Sequence, residues 1–252
     1  MEIKHTFVIL AYQESDDLED CIKSIINQSV TSNIVIATST PSTFITDLAS
    51  DYSLGVMVNK EKSNKGADYN FALSTFNTDL LTIAHQDDLY DRNYAREVIK
   101  CYEKNKDASI IFSNYYEIHK DVKVKHSKML FLKKMMIWPL RFHIFQDKKR
   151  YKLRSLKYGQ CFSTSAVTFI KKNVKKNFFP KDLKYYNDWQ AFINLALLDK
   201  KKMVYLPKRL VGYRVEKKEF NKQKQKEREK ILKKLWPDKV IDFLFKKYHN
   251  NY

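Results

Sequence analysis

Up to about residue 116, short apolar runs alternate with segments whose apolar positions repeat at helical spacing. Thr6 to Tyr12 (TFVILAY) predicts a strand by its β-branched and aromatic content. Ser15-Asp16-Asp17 supplies cap chemistry for a helix with Glu19 in its first turn. There Leu18, Cys21, Ile22, Ile25 and Ile26 share one face, and the helix ends near Asn27-Gln28. Ile34 to Ala37 predicts a second strand, Pro41 opens a helix through about Ser53, and Val56 to Val58 is a third strand. Lys65 to Phe76 reads as a helix and Leu80 to His85 as a fourth strand. Asp91 to Asn105 reads as an amphipathic helix with Tyr94, Val98, Ile99 and Tyr102 on one face, and Ala108 to Tyr116 as a fifth strand. Regular strand–helix alternation predicts an α/β fold, a doubly wound, mostly parallel sheet with right-handed crossovers.

From Lys120 to Leu156 the alternation stops. Met129-Leu130-Phe131-Leu132 and Met135-Met136-Ile137-Trp138-Pro139-Leu140 are interrupted by Lys and Arg. The pattern fits a basic amphipathic stretch lying on an anionic membrane, and equally a core helix with snorkelling lysines. Ala166 to Ile170 returns to strand, and Asp188 to Leu198 is a helix preceded by Lys184-Tyr185-Tyr186-Asn187. Met203 to Tyr205 and Leu210 to Val215 are strand-like. Beyond Glu216 the chain is charged helix, broken at Pro237.

Composition narrows the function classes. The 252 residues suffice for one large domain with an appendage, and 44% hydrophobic with 14% aromatic content excludes a disordered chain. Only four glycines, Gly55, Gly66, Gly159 and Gly212, leave no P-loop or GxGxxG cradle. Cys21, Cys101 and Cys161 form neither a disulfide framework nor a zinc site, which fits a reducing, cytoplasmic setting. No apolar run approaches the ~20 residues of a membrane span, and no signal pattern opens the chain, so a soluble or peripheral protein is expected. The net charge of +18 is concentrated after residue 120. It suits polyphosphate, anionic lipid or nucleic acid, or simply reflects the lysine-rich codons of an AT-rich genome.

The candidate chemistry begins where the fourth strand ends, at His85-Gln86-Asp87-Asp88. Ligands bind at strand carboxyl ends in open α/β sheets, and adjacent acids there suit Mn2+ or Mg2+ shared with a diphosphate. The same pair also reads as solvated loop acids before a helix capped by Asp91.

Together with four other segments, this stretch resembles the inverting family 2 glycosyltransferases of bacterial cell-surface polysaccharide type, which have the GT-A fold. Those segments are FVILAY followed by CIKSIINQ with Ser24 and Gln28, then Gly66-Ala67-Asp68-Tyr69-Asn70, Asn187-Asp188-Trp189, and Gly212-Tyr213-Arg214-Val215. The resemblance covers roughly residues 6–216. It implies a glycosyltransferase domain over 1–216, with a nucleotide-sugar half at 1–118 and an acceptor half at 119–216. Residues 217–252 would form a basic helical appendage.

In that reading Ala11, Tyr12, Glu14, Ser39, Lys65, Asp68, His85, Gln86, Asp87 and Arg214 face the nucleotide sugar, a UDP- or dTDP-sugar. Asp87, Asp88 and Glu216 hold the metal, and Asp188 is the base. The chain departs from the family pattern in several places. Thr38-Ser39-Thr40-Pro41 replaces an Asp-Asp-Gly-Ser run, and His85 stands for the first acid of the DxD-type signature. Asn187 stands for Glu and Glu216 for His, and Gly66 lies unusually close to Asn70. The acceptor would be a lipid-linked or polysaccharide glycan at the inner face of the plasma membrane, and a homo-oligomer is compatible with this reading. A nucleotidyltransferase-like enzyme and a non-catalytic membrane- or nucleic-acid-binding protein are the competing classes. Against nucleic acid, the basic residues show no RNP-like or helix-turn-helix pattern and the best crevice is acidic.

Overall fold

Strand β1 (His5–Ala11) sits in the middle of a parallel ladder, and its alternating side chains explain the unbroken apolar run. Phe7 and Ile9 face one core with α1 (Asp17–Ile26), α2 (Thr43–Asp51) and α4 (Tyr94–Lys104). Val8 faces a second core with α3 (Lys65–Thr75) and α7 (Asn187–Leu197). In the computed structural model the described residues are 3–61, 64–215, 221–237 and 240. The remaining strands are β2 (Asn33–Thr38), β3 (Gly55–Val58), β4 (Leu80–His85), β5 (Leu89–Tyr90), β6 (Ala108–His119), β7 (Val122–Val124), β8 (Val167–Ile170) and β9 (Lys202–Arg214). They form one nine-stranded sheet in the order β3-β2-β1-β4-β8-β6-β9-β5, with β7 hairpinned onto β6. The ladder from β3 to β4 is parallel, β8 runs antiparallel between β4 and β6, and β9 is parallel to β6. This is the mixed α/β architecture that the alternation predicts, with an antiparallel insert.

Three details differ from expectation. Pro41 lies outside α2, which starts after Ser42, whose hydroxyl accepts from the Ile45 N–H at 3.4 Å. The two strand-like runs near the end join into one 13-residue β9, because both pair with the long β6 and register shifts around Asn114 absorb the polar residues between them. Leu89-Tyr90, directly after the acid pair, is a short strand antiparallel to β9 and not a loop into α4. That pairing carries the end of β9 to the end of β4.

The segment 120–156 folds as α5 (Lys128–Ile137), two 3-10 turns (Trp138–Arg141 and His143–Phe145) and α6 (Lys149–Arg154). Leu130, Ile137 and Leu140 enter the core while Met129, Phe131, Leu132 and Met135 stay exposed. Lys152 of α6 is fully buried and its ammonium donates to the Leu198 and Lys201 carbonyls, tying α6 to the end of α7. Within the expected C-terminal appendage, α8 (Lys222–Leu235) buries Ile231 and Leu232 against the second core, and the Trp236 indole donates to the Lys157 carbonyl at 2.8 Å. No helix among the described residues is long and apolar enough to cross a membrane.

Candidate active site

The parallel register sets three strand ends side by side, since Leu10 pairs with His85 and Ala11 with Thr38. Above them opens a cleft of about 1570 Å³. Ala11, Tyr12, Ser39, Lys65, Asp68, His85, Gln86, Asp87, Asp188 and Arg214 all line it. Asp88 lies beneath them, fully buried, and Glu14 is exposed away from the cleft. Glu216 lies outside the described residues.

Each position has a local cause. The Gln86 carboxamide exchanges two hydrogen bonds with the Tyr12 backbone, at 2.9 and 3.0 Å, which joins the ends of β4 and β1 and leaves the Tyr12 ring 52% exposed. The Asp68 carboxylate accepts from the Ser39 hydroxyl at 3.1 Å and the Asn59 amide at 2.8 Å, so Ser39 and Asp68 act as a pair. Gly66 lets α3 approach the chain before α7, since a Cβ there would collide with the Pro180 carbonyl oxygen. The Arg214 N–H donates to Asp88 Oδ1 at 3.1 Å. Its guanidinium meets Asp17, Asp20 and Asp121 at 3.0, 3.1 and 2.8 Å, closing one end of the cleft with a four-charge knot.

One ligand atom each from His85, Asp87 and Asp88 lie within 4.8 Å of one another. Burial, with the Asp87 charge next, raises the Asp88 carboxyl well above the ordinary carboxylate range. Its Oδ2 is buried with no hydrogen-bond partner among the described residues. Such an atom costs free energy unless a cation or proton meets it. His85 is pushed down to about 3 by burial, with the Lys65 charge adding, so its imidazole is neutral and able to ligate. The trio therefore fits a divalent cation, and His85 joins the acids in a way that the resemblance alone does not imply.

In the same cleft, Asp188 sits in the first turn of α7. Its Oδ2 accepts from the Thr164 hydroxyl at 2.8 Å and its Oδ1 from the Trp189 N–H at 2.8 Å. Tyr69 also lines this cleft, its hydroxyl 2.7 Å from His85 Nε2. Burial raises the Tyr69 hydroxyl well above its usual value, and the charges of Asp188, Asp87 and Asp88 raise it further. The supposed base and the acid pair thus act on one hydroxyl in one cleft.

A sequence profile described as Glycosyl transferase family 2 matches residues 6–174, two thirds of the chain. The chain belongs to glycosyl transferase family 2. Solved structures that share the fold include S. aureus TarS in complex with UDP-GlcNAc, at 12% identity and TM-score 0.61. That match covers 86% of this chain and 60% of that one. Another is the mannosyltransferase PcManGT from Pyrobaculum calidifontis, in complex with GDP-Man and Mn2+, at 14% identity and TM-score 0.57, covering 85% and 58%. The chain spans about 60% of the length of the TarS 1-349 structures it matches and 37% of a longer TarS structure. No curated protein matches it in sequence. The family match ends before Asp188 and β9, so it does not reach Asp188 or Arg214.

Several cleft residues escape sequence reading. Tyr69 falls inside a segment of the resemblance that gives it no role, and Thr164 lies in a polar run with no pattern of its own. Gln223, Lys224 and Arg228 of α8 line the cleft from within the expected appendage. Glu227 of α8 is buried and accepts from the backbone N–H groups of Lys184 at 3.0 Å and Tyr185 at 2.9 Å, with Tyr186 at 3.4 Å. A Glu beside Glu229 in a Lys-rich helix carries no signal of that clamp.

Proposed function

We propose that the protein transfers one sugar, with inversion, from a UDP- or dTDP-sugar to a lipid-linked or polysaccharide acceptor. The setting is cell-surface glycan synthesis at the anionic inner face of the plasma membrane. Support comes from the placement of His85-Asp87-Asp88 and Asp188 around one cleft, which Tyr69 also lines. In this reading Tyr12 offers an exposed ring to the base, the Ser39–Asp68 pair offers polar edges to the nucleoside, and Lys65 faces the phosphates. His85, Asp87 and Asp88 hold Mn2+ or Mg2+, with Glu216 as a further carboxylate. Bound there, the cation neutralises charge on the departing diphosphate.

Asp188 supplies the remaining chemistry. Its carboxylate, oriented by Thr164 and the Trp189 N–H, takes the proton of the acceptor hydroxyl. That oxygen bonds to the anomeric carbon, and the bond from the same carbon to the diphosphate oxygen breaks with its electron pair on the leaving group. One displacement inverts the anomer and needs no covalent nucleophile. A thermal-shift panel of UDP, GDP, CDP and dTDP with Mn2+ tests the reading. A rise selective for UDP or dTDP is expected, and a flat response to all four rejects it.

A further inference from the structure

The described residues include 14 exposed large hydrophobic side chains, and seven of them fall between 129 and 144: Met129, Phe131, Leu132, Met135, Trp138, Phe142 and Ile144. A concentration of this kind on one short stretch marks an interaction surface, whereas single exposed apolar residues do not. Basic residues are interleaved with them, and the Arg141 guanidinium lies over both the Trp138 and Phe142 rings, at 6.0 and 5.3 Å, holding the pair at the surface.

Beside this face is a second, smaller pocket of about 650 Å³. It is lined by Lys125, Lys128, Lys134 and Arg209, with Phe131 and Leu132 completing its wall. No carboxylate lines it, and none of its four cations makes an ion pair among the described residues. Elsewhere on this protein lysines do pair, as Lys181 does with Glu61 and Lys208 with Glu97. Four like charges gathered without a counter-charge repel each other, and an anion relieves that repulsion. An anion alone would leave the apolar wall in water. The ligand that satisfies both is amphiphilic.

We infer that this pocket binds the phosphate headgroup of an anionic phospholipid while residues 129–144 enter the bilayer interface. The inference deepens the proposed transfer reaction and rests on it for its purpose. Tyr115 lines both the pocket and the catalytic cleft, and Lys133 of α5 donates to the Tyr115 hydroxyl from the cleft side. Docking here sets the cleft against the membrane, where a lipid-linked acceptor is presented. Trp and Phe at the interface with basic neighbours suit a helix lying on a membrane, not across it.

The test is co-sedimentation of the full chain with phosphatidylcholine vesicles, with and without phosphatidylglycerol, across a salt series. Binding only to the anionic vesicles, weakening with salt, is expected. Replacing Lys125, Lys128 and Lys134 together by Gln should lower partitioning on the order of 100-fold, at about 1 kcal/mol per lysine. Phe131→Ser with Leu132→Ser should lower it by roughly tenfold or more. Both variants should keep the wild-type thermal response to UDP or dTDP with Mn2+, which shows them folded. Saturable binding of soluble glycerol phosphate with no preference for phosphatidylglycerol vesicles over phosphatidylcholine overturns the lipid assignment in favour of a free phosphate ligand. A dimer that the Phe131/Leu132 variant dissociates, with vesicle binding unchanged, overturns it in favour of a second copy. If wild type answers to nucleotide but ignores anionic vesicles, this inference fails and the transferase reading stands. Vesicle binding with no nucleotide response rejects that reading alone.

Discussion

The two walls of the cleft are built by different means. On the wall proposed to take the donor, β1, β2 and β4 end in register, so backbone ladders set Ala11, Thr38 and His85 at neighbouring strand ends, with Ser39 directly after β2. On the wall proposed to face the acceptor, Asp188 stands at the start of a helix whose approach loop is gripped by Glu227 from α8, while the Thr164 hydroxyl, from a 3-10 turn, donates to Asp188 itself. The donor wall also holds buried polar groups in uncomfortable states, a neutral imidazole and an acid with an unmet oxygen. Strain of that electrostatic kind is tolerated where packing is strongest. Asp188, the proton acceptor of the proposed reaction, is instead partly exposed, with few but directed contacts.

If the walls divide the labour in this way, substitutions on each should fail differently. Asp188→Asn should lower kcat on the order of 10³-fold, within the range of general-base loss, with the donor KM unchanged. Steady-state kinetics checks this, and near-normal turnover removes the base from the acceptor wall.

Asp88→Asn should act with opposite signs on stability and activity. The amide oxygen can keep the Arg214 N–H bond, and loss of a buried charge beside Asp87 should raise the melting temperature of the metal-free protein. Metal-dependent turnover should fall on the order of 100-fold, and the Mn2+-induced thermal shift should vanish. A melting temperature that falls without metal contradicts the assignment of Asp88 as a buried acid awaiting a cation.

Glu227→Ala leaves three backbone N–H groups of the 184–186 loop without their carboxylate. We expect a loss of about 2 kcal/mol in stability, and an acceptor KM that rises roughly tenfold while donor KM holds. Equal changes in both KM values would show that the walls are mechanically one.

The remaining effect is the smallest near neutral pH and concerns acid. His5, buried in β1 between the Ser32 and Thr82 hydroxyls, is pushed down to about 3 by burial. The unfolded chain takes up that proton near pH 6.5 and the folded chain only near 3, so between these values acid favours unfolding. Stability is complete above 6.5 and should fall by about 1.4 kcal/mol per pH unit below it for this residue. His5→Gln should flatten the slope of melting temperature against pH by that share.

Reading from residues alone reached furthest where one period dominates. The boundaries of β4 and the spacing of α1 follow from local apolar patterns, and the acids at 87 and 88 are visible because strand ends in such sheets are where ligands sit. Leu89-Tyr90 could not be read as a strand, because two residues carry no period and their pairing depends on β9, more than a hundred residues on. For the same reason Arg214 is legible as part of a motif, while its commitment to Asp17, Asp20 and Asp121 is not.

What the sequence determined by itself is therefore the α/β alternation, the acid pair at a strand end and an acid opening a late helix. These depend on contacts within a dozen residues. Tertiary structure decided that the two acidic positions share one cleft, that His85 is neutral beside Tyr69, that α8 clamps the loop before Asp188, and that residues 129–144 leave seven apolar side chains in water. Each is set by segments distant in sequence meeting in space, and burial, not residue type, then chooses the protonation state and the partner.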